Sequence, residues 1–569
     1  MRYLKYVFVA AIALFSFCGC DDKNEVAESP VVPEEPETPT PDVPTPEEPD
    51  YLFMFYGVGG GTLDGTILSN IFQALDAGND DKVKMTFEYK MSFDMQGKYP
   101  DFDGTRRFTG EDNEHLKGQF KSISSSFPLV DETKYNSLFA GLKTEKVGGA
   151  DYAMTSSDNL TDFIKWSKEK YSAAKRTVLV LAGHGRGWAL SDDGALDMAE
   201  TRSVLTDDNT NKFMSLNAVV NGVKNAGNVD LIYADACLMS MYEVLYGYAG
   251  CAKYFMASME TTPALGGDYI NFISLLKQAG STDEGLEEAL RKHCDYCVSE
   301  LWDKSEYSDL GFFDLTKLSK LTGALQEVTN TLVEKFTSEE SIDPAQDGEL
   351  PLGDRFGKYI SNAFMKCEIV DSHINLKKED LAKCLIPIVE KSDAEWWDKY
   401  ALLSWLGTIY NERNKEEYAD IKRDIMAQVE FLSFKSENSF SLTDLLRVLD
   451  NSLVEVGARN NPFGSLRTEL LSALKEMSYI RCTTPKKLEG IDEAYELCSP
   501  GILIAPLGSN TLYEDWAYAR DYAGIDNAED ALKSYQSTAF DQQIGWSRML
   551  GLLDVLPSFL YNPVRPCVK

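Results

Sequence analysis

An α/β fold is predicted for residues 51–280, because short apolar runs alternate there with amphipathic stretches. The runs that begin at Thr177 (Thr-Val-Leu-Val-Leu) and Val229 (Val-Asp-Leu-Ile-Tyr) are continuous enough to be buried on both faces. Such runs are typical of central strands in a parallel sheet. We therefore expect a mostly parallel sheet flanked by helices. Its predicted strands are Tyr51–Val58, Val83–Tyr89, Thr177–Ala182, Val229–Ala234 and Tyr254–Ser258.

Three helices are predicted between these strands. Leu216–Val223 follows Ser215, a residue type that caps helix N-termini. Met239–Tyr248 directly follows the fourth strand. Asp158–Ala173 has apolar residues spaced to fall on one helix face, at Leu160, Phe163, Ile164 and Trp166.

Residues 281–569 have a different pattern, which predicts a helix-rich C-terminal region with some strands. Helical patterns occur at Leu301–Phe336, Lys377–Lys391 and Ala419–Phe434. Strand-like apolar patches return at Gly311–Phe313 and Gly501–Ala505. The sequence does not indicate how this region is arranged.

The N-terminal 50 residues predict export and a lipid anchor. Residues 1–19 have a basic start and an apolar run from Val7 to Phe17, too short to predict a membrane-spanning helix. The run resembles a bacterial lipoprotein signal, with Gly19 before the cleavage site and Cys20 as the acylated residue. Residues 20–50 are rich in Pro and Glu and predict an extended tether. The acidic residues after Cys20 resemble a surface-export signal, so we expect a surface-exposed lipoprotein of the bacterial outer membrane.

The composition narrows the range of partners. The chain has 569 residues, 44% of them hydrophobic, and a formal net charge of −34. That charge would repel phosphates, so it argues against nucleic acid as a partner and limits membrane contact to the lipid anchor. It would attract polypeptides with basic residues, although it also serves simply to keep a protein soluble.

A histidine and a cysteine follow two successive predicted strands. His184 stands between Gly183 and Gly185 at the end of the third strand, and Cys237 follows the fourth. Because ligands bind at the carboxyl ends of strands in such sheets, the two side chains are expected at one site. A neighbouring imidazole would let the Cys237 thiol act as a nucleophilic thiolate. The alternatives are a tight turn that happens to contain His184 and an inert buried Cys237.

Asp235 lies two residues before Cys237, so strand alternation sends both side chains to the same side. A carboxylate there would favour a cationic group beside the attacked bond, although it would serve equally as a cap for the next helix. The other histidines, His115, His293 and His373, follow charged residues and are predicted to be solvated. No zinc site is predicted at His293, Cys294 and Cys297, since His293 is expected to point away from the two cysteines.

These motifs resemble the clostripain family of cysteine peptidases, which has a caspase-like fold. The resemblance is carried by His184-Gly185, by Asp235-Ala236-Cys237-Leu238-Met239, and by Ala257–Pro263 with Gly266 and Tyr269. It implies that His184 is the general acid or base, Cys237 the nucleophile, and the Gly185 and Cys237 amides the oxyanion hole. It also implies that Asp235 is the acidic floor of a pocket for Arg, with Lys second.

The resemblance leaves three features open. Self-cleavage between His and Cys would occur at Arg202 or Lys212, and neither stands in a clear motif. No cofactor is expected. The acidic stretch between His184 and Cys237 either binds calcium, as in some family members, or is a solvated loop. Arg186 and Gly267 depart from the family pattern, because small residues are frequent at the first position and Trp at the second.

A catalytically inactive binding module with a peptidase-like scaffold is the main alternative function. An intact dyad favours the enzyme, because a degenerate binder is expected to have lost one member. A carbohydrate-handling lipoprotein is a third interpretation, but it would need paired carboxylates in a cleft, which the spacing does not reveal.

Overall fold

The structure is a computed structural model. It describes residues 48–59, 63–91, 104–120, 138–149, 151–185, 187, 205–207, 212–259, 262–263, 265–302, 308–337, 434–436, 439–443, 445–446, 450, 461–482, 499–503, 533 and 535–549. The signal, Cys20, nearly all of the tether, and the predicted helix Lys377–Lys391 lie outside these residues.

Five parallel strands form the centre of a nine-stranded sheet, which confirms the predicted fold class. In spatial order they are Ala252–Ala257 (β9), Val229–Asp235 (β8), Arg176–Ala182 (β5), Tyr51–Val58 (β1) and Val83–Lys90 (β2), and all of them run parallel. Each predicted strand is present, with ends shifted by no more than two residues.

Antiparallel strands complete both edges of the sheet. On one side are Thr105–Thr109 (β3) and Glu145–Gly148 (β4), and on the other Asp309–Asp314 (β10) and Ser478–Cys482 (β13). Two further small sheets are present. One pairs Leu205–Asp207 (β6) with Lys212–Met214 (β7), and the other contains Phe434–Ser436 (β11), Ser439–Ser441 (β12) and Gly501–Leu503 (β14). The described residues beyond 280 therefore contribute β10 and β13 to the main sheet.

Apolar side chains cover both faces of the central strands. Along β5, Leu179 and Leu181 pack in one hydrophobic layer, and Val178 and Val180 pack in the other. All four are fully buried. Burial on both faces explains why this strand is a continuous apolar run rather than an alternating one.

The helices lie between the strands much as the apolar spacing predicts. Ser215 caps its helix, since its hydroxyl oxygen accepts a hydrogen bond from the Ala218 amide at 3.1 Å. The pattern at Leu301–Phe336 contains β10, and its helix begins only at Leu318. Among the described residues, the α-helices are Asp64–Ala77 (α1), Ser157–Lys170 (α2), Leu216–Asn225 (α3), Tyr242–Tyr248 (α4), Tyr269–Ala279 (α5), Asp283–Tyr296 (α6), Leu318–Thr337 (α7), Phe463–Met477 (α8) and Ala539–Ile544 (α9). No helix among the described residues is long and apolar enough to cross a membrane.

Candidate active site

His184 and Cys237 follow adjacent parallel strands at one edge of the sheet. β5 and β8 pair directly, and their last partners are Ala182 and Asp235. The chain leaves β5 through Gly183, whose amide donates to the Asp235 carbonyl at 3.4 Å. His184 and Cys237 therefore each lie two residues beyond paired positions at the carboxyl ends of neighbouring strands.

Gly185 brings the two turns into contact. A Cβ atom built on Gly185 would lie 2.6 Å from the Ala236 Cβ atom and 3.0 Å from the Cys237 backbone nitrogen. Real Cβ atoms do not approach other atoms so closely, so a side chain at this position would push the turns apart. The backbone after His184 therefore packs directly against the backbone that carries Cys237.

Cys237 stands in a sharp turn and is half-buried. The next residue, Leu238, has a φ of +60°, which is uncommon for a residue with a large side chain. Such backbone conformations concentrate at functional sites, where surrounding contacts hold them in place. Here, Thr262 holds the turn, because its hydroxyl donates to the Ala236 carbonyl at 3.2 Å, and its own carbonyl lies 3.8 Å from the Cys237 sulfur. Cys237 forms no disulfide with a described residue.

Asp235 is the last residue of β8 and is only 8% exposed. Its Oδ2 atom accepts hydrogen bonds from the Tyr269 hydroxyl at 2.7 Å and from the Gly267 amide at 3.2 Å. Burial raises the pKa of Asp235, and these hydrogen bonds oppose that effect. No cationic side chain in the described parts of the chain forms an ion pair with it, so a cation that entered here would compensate a buried carboxylate.

The residues Gly266 and Gly267 form a tight wall beside Asp235. Gly266 has a φ of +62°, and a Cβ atom there would lie 2.8 Å from Asp235 Oδ2. The Trp302 indole N–H donates to the Gly266 carbonyl at 3.0 Å. A Cβ atom on Gly267 would lie 2.6 Å from the Tyr233 hydroxyl oxygen, so the buried Tyr233 leaves no room for a side chain at this position.

The prediction that His293 is a solvated side chain is wrong. It is fully buried behind Gly267, with its ring centroid 4.6 Å from that of Phe272. Burial lowers the pKa of His293 to about 3, so the ring is neutral near pH 7. Its Nε2 atom lies 3.5 Å from the Cys297 sulfur, so the expectation that His293 points away from that cysteine is also wrong. Residues 293 and 297 are four apart and share one helix face.

The remaining histidines differ in position. His115 is exposed, as predicted, and its Nε2 atom lies 2.8 Å from the Gly141 carbonyl oxygen. His373 lies outside the described residues. In the described parts of the chain, no three His, Cys, Asp or Glu side chains are grouped so that they could hold a metal ion.

Asp309, on β10, supports the wall of the site and was missed by sequence reasoning. One of its oxygens accepts from the Ser258 hydroxyl and the other from the Met259 amide, both at 2.9 Å. It is 1% exposed. Asp309 therefore fixes the end of β9, where the chain leaves the sheet towards Thr262.

Residues of the C-terminal region contact the segment that follows Cys237. The Ser240 amide donates to the Ser258 carbonyl, and the Gly501 amide donates to the Ser240 carbonyl, both at 2.8 Å. The Tyr535 hydroxyl donates to the Glu243 carboxylate at 2.8 Å in a buried position. The C-terminal region thus supports the turn and the helix that follow Cys237.

Of the two predicted self-cleavage residues, the structure describes Lys212. It is exposed on β7, where it pairs with Asp207 of β6. Asp207 is itself fully buried and accepts a hydrogen bond from the Lys90 ammonium at 2.8 Å. This ion pair fixes the β6 strand to β2. Arg202, Arg186 and most of the acidic stretch considered for calcium lie outside the described residues.

Comparison with known proteins assigns the family. A secreted C11 cysteine protease from Bacteroides thetaiotaomicron, solved with an irreversible peptide inhibitor, is 12% identical with a TM-score of 0.42; the alignment covers 84% of this chain and 99% of that chain. An inactive zymogen C11 protease from Parabacteroides distasonis is also 12% identical with a TM-score of 0.42, and the shares covered are 88% and 99%. No curated protein gives a significant match. The sequence profile of the clostripain family matches residues 138–433, just over half of the chain. The protein therefore belongs to the clostripain family of cysteine peptidases.

Proposed function

We propose that the protein is a cysteine endopeptidase that cleaves polypeptides after Arg or Lys, with Cys237 as nucleophile and His184 as its acid–base partner. The observation that carries this proposal is the contact between the two strand-end turns. Gly185 packs against the Cys237 backbone, so the imidazole and the thiol are attached to chain segments that contact each other. Family membership agrees with this chemistry.

The proposed reaction proceeds through an acyl-enzyme. His184 takes the thiol proton, and the Cys237 sulfur attacks the carbonyl carbon of the scissile bond. In this proposal, the amides of Gly185 and Cys237 donate hydrogen bonds to the oxyanion that develops. His184 then gives its proton to the leaving amine. In the second step His184 takes a proton from water, the water oxygen attacks the thioester carbonyl, and the Cys237 sulfur leaves and regains its proton.

The preference for a basic residue rests on Asp235. Its carboxylate is nearly buried, lacks a cationic partner among the described residues, and lies two residues before the nucleophile. A substrate side chain with a positive charge would supply that partner, whereas a neutral side chain would leave a buried charge uncompensated. The net charge of −34 would also attract basic polypeptides.

The proposal includes export to the bacterial cell surface and an outer-membrane lipid anchor on Cys20. Its support is the sequence of residues 1–50, in which an apolar run, Gly19-Cys20 and a Pro- and Glu-rich segment follow one another. Such a tether would hold the peptidase away from the membrane.

The test is replacement of the nucleophile in the full chain. We expect Cys237→Ala to lower the cleavage of a peptide with a central Arg or Lys by at least about 1,000-fold, since loss of a nucleophile removes the covalent route. Thermal stability should change little, because Cys237 lies in a half-buried turn. The matched control is Cys251→Ala. Burial raises the pKa of Cys251 to about 12, so it stays a thiol, and this variant should keep the activity.

Undiminished cleavage by Cys237→Ala would refute the nucleophile assignment. If the unaltered protein binds basic peptides without cleaving them, the protein is a binding module with a peptidase fold.

A further inference from the structure

The two oxygens of the Asp235 carboxylate have different surroundings. Both hydrogen bonds from Tyr269 and Gly267 fall on Oδ2, at 2.7 and 3.2 Å. The Asn70 carboxamide lies 3.4 Å from the same oxygen. The Asn70 nitrogen forms better hydrogen bonds when it is turned towards the carbonyl oxygens of Thr66 and Leu265, and in that orientation it does not donate to Asp235.

Oδ1 makes no hydrogen bond to any described residue and is not among the side-chain atoms sealed from solvent. A carboxylate oxygen offers about two lone pairs. Oδ2 is therefore saturated by Tyr269 and Gly267, and Oδ1 is the atom that a ligand can reach.

The orientation of this carboxylate is firmly held. Tyr269 is fully buried on α5, and its ring lies 5.3 Å from that of Phe55 in an edge-to-face contact. Tyr233 and His293 pack so closely against Gly267 that they leave no room for a Cβ atom there. Turning the carboxylate to present both oxygens would break the Tyr269 hydrogen bond inside a buried environment, where an unpaired hydroxyl is costly.

We propose that Tyr269 is a positioning residue that makes the site prefer Lys to Arg, because it occupies the oxygen that an Arg side chain would need. This inference rests on the proposed function and reverses the order that the sequence predicted. The physical difference lies in the two cations. The guanidinium of Arg is a rigid fork that binds a carboxylate through two parallel hydrogen bonds, and it needs both oxygens.

The ammonium of Lys is a compact charge that can bind a single oxygen. At Asp235 it would donate to Oδ1 and keep its remaining N–H groups for water or for other acceptors. An Arg side chain would lose one of its two charge-assisted hydrogen bonds there.

The experiment compares two peptides that differ only in Lys or Arg at the cleavage position. The full chain should have a kcat/KM for the Lys peptide at least about fivefold higher than for the Arg peptide. Tyr269→Phe removes the hydroxyl and makes Oδ2 available, so it should lower this ratio by about tenfold, which corresponds to about 1.4 kcal/mol and is the size expected for one charge-assisted hydrogen bond.

The matched control is Tyr56→Phe. It removes an equally buried hydroxyl that donates to the Met154 carbonyl at 2.6 Å, and Tyr56 packs in the other hydrophobic layer. This variant should leave the ratio unchanged even if it lowers stability. A decrease in overall activity with an unchanged ratio in Tyr269→Phe would show that Tyr269 is merely structural and would overturn the proposal.

A second measurement makes the result independent of catalysis. The same two peptides are titrated calorimetrically into Cys237→Ala and into Cys237→Ala/Tyr269→Phe, and the ratio of their Kd values is compared. Tighter binding of the Arg peptide to Cys237→Ala, or an equal ratio in both proteins, would overturn the preference for Lys. If binding favours Lys but the unaltered protein cleaves neither peptide, the proposed peptidase activity fails while the inference about Tyr269 holds.

Discussion

The tight packing around Gly267 predicts a measurable effect of adding one methyl group. In Gly267→Ala the new Cβ atom would lie 2.6 Å from the Tyr233 hydroxyl oxygen and 3.3 Å from His293 Nε2. Both neighbours are at most 1% exposed, so neither can move into solvent. Overpacking of this kind costs about 1–3 kcal/mol, and we expect the free energy of unfolding to fall by that amount.

The same substitution should also weaken the recognition of basic side chains. The Gly267 amide donates to Asp235 Oδ2 at 3.2 Å, so a shift of the chain lengthens this hydrogen bond. We expect kcat/KM to fall by about tenfold more for basic than for neutral peptides, which is the worth of one hydrogen bond to a charged group.

The assays are urea unfolding and cleavage of peptide pairs that differ in charge at the cleavage position. Gly323→Ala is the control, because a Cβ atom there meets nothing within 4 Å on helix α7. It should raise stability by up to about 1 kcal/mol through helix propensity. If Gly267→Ala leaves both stability and selectivity unchanged, the wall beside Asp235 is not rigid, and the argument for its role is refuted.

Two further predictions concern ionisable groups. His293 has a folded-state pKa of about 3, below its ordinary value of 6.5, so the stability it contributes is present above pH 6.5 and is lost as the pH falls towards 3. Between pH 7.5 and 4 the protein should lose about 3 kcal/mol more stability than His293→Phe in urea unfolding, and an equal loss in both would contradict neutral burial of the ring. Asp235→Ala should lower kcat/KM for basic peptides far more than for neutral ones. Because the pKa of Asp235 is raised, acid should abolish the preference of the unaltered protein for basic peptides at a pH above the usual pKa of an aspartate. An equal loss of kcat/KM for both peptide classes in Asp235→Ala would show that Asp235 has only a structural role.

Local sequence patterns predicted the central sheet closely. β1 begins at Tyr51 and ends at Val58, as its apolar run indicated, and β5 differs from its prediction by one residue. Strands buried on both faces must be continuously apolar, and that requirement is visible in a few consecutive residues. The same reasoning located His184 and Cys237 at strand ends, because the order of parallel strands along the chain limits where their carboxyl ends can lie.

The prediction for His293 fails because its charged neighbours in the sequence are not on its face of the helix. Arg291 and Lys292 precede it and face solvent, but Leu286, Leu290 and His293 recur at helical spacing on the buried face of α6. That periodicity is present in the sequence and would have predicted burial.

Other features depended on tertiary structure because they join distant parts of the chain. Asp235 meets Tyr269, 34 residues away, and Ser258 meets Asp309, 51 residues away. β13 joins the edge of the main sheet beside β10 after more than 160 intervening residues. A strand's apolar pattern specifies that it must be buried but not which edge it joins, since backbone hydrogen bonds are alike at every edge. The sequence alone therefore predicted the five central strands and placed His184 and Cys237 after two of them. Tertiary packing decided which oxygen of Asp235 accepts hydrogen bonds, which glycine positions have no room for a side chain, and that His293 is buried.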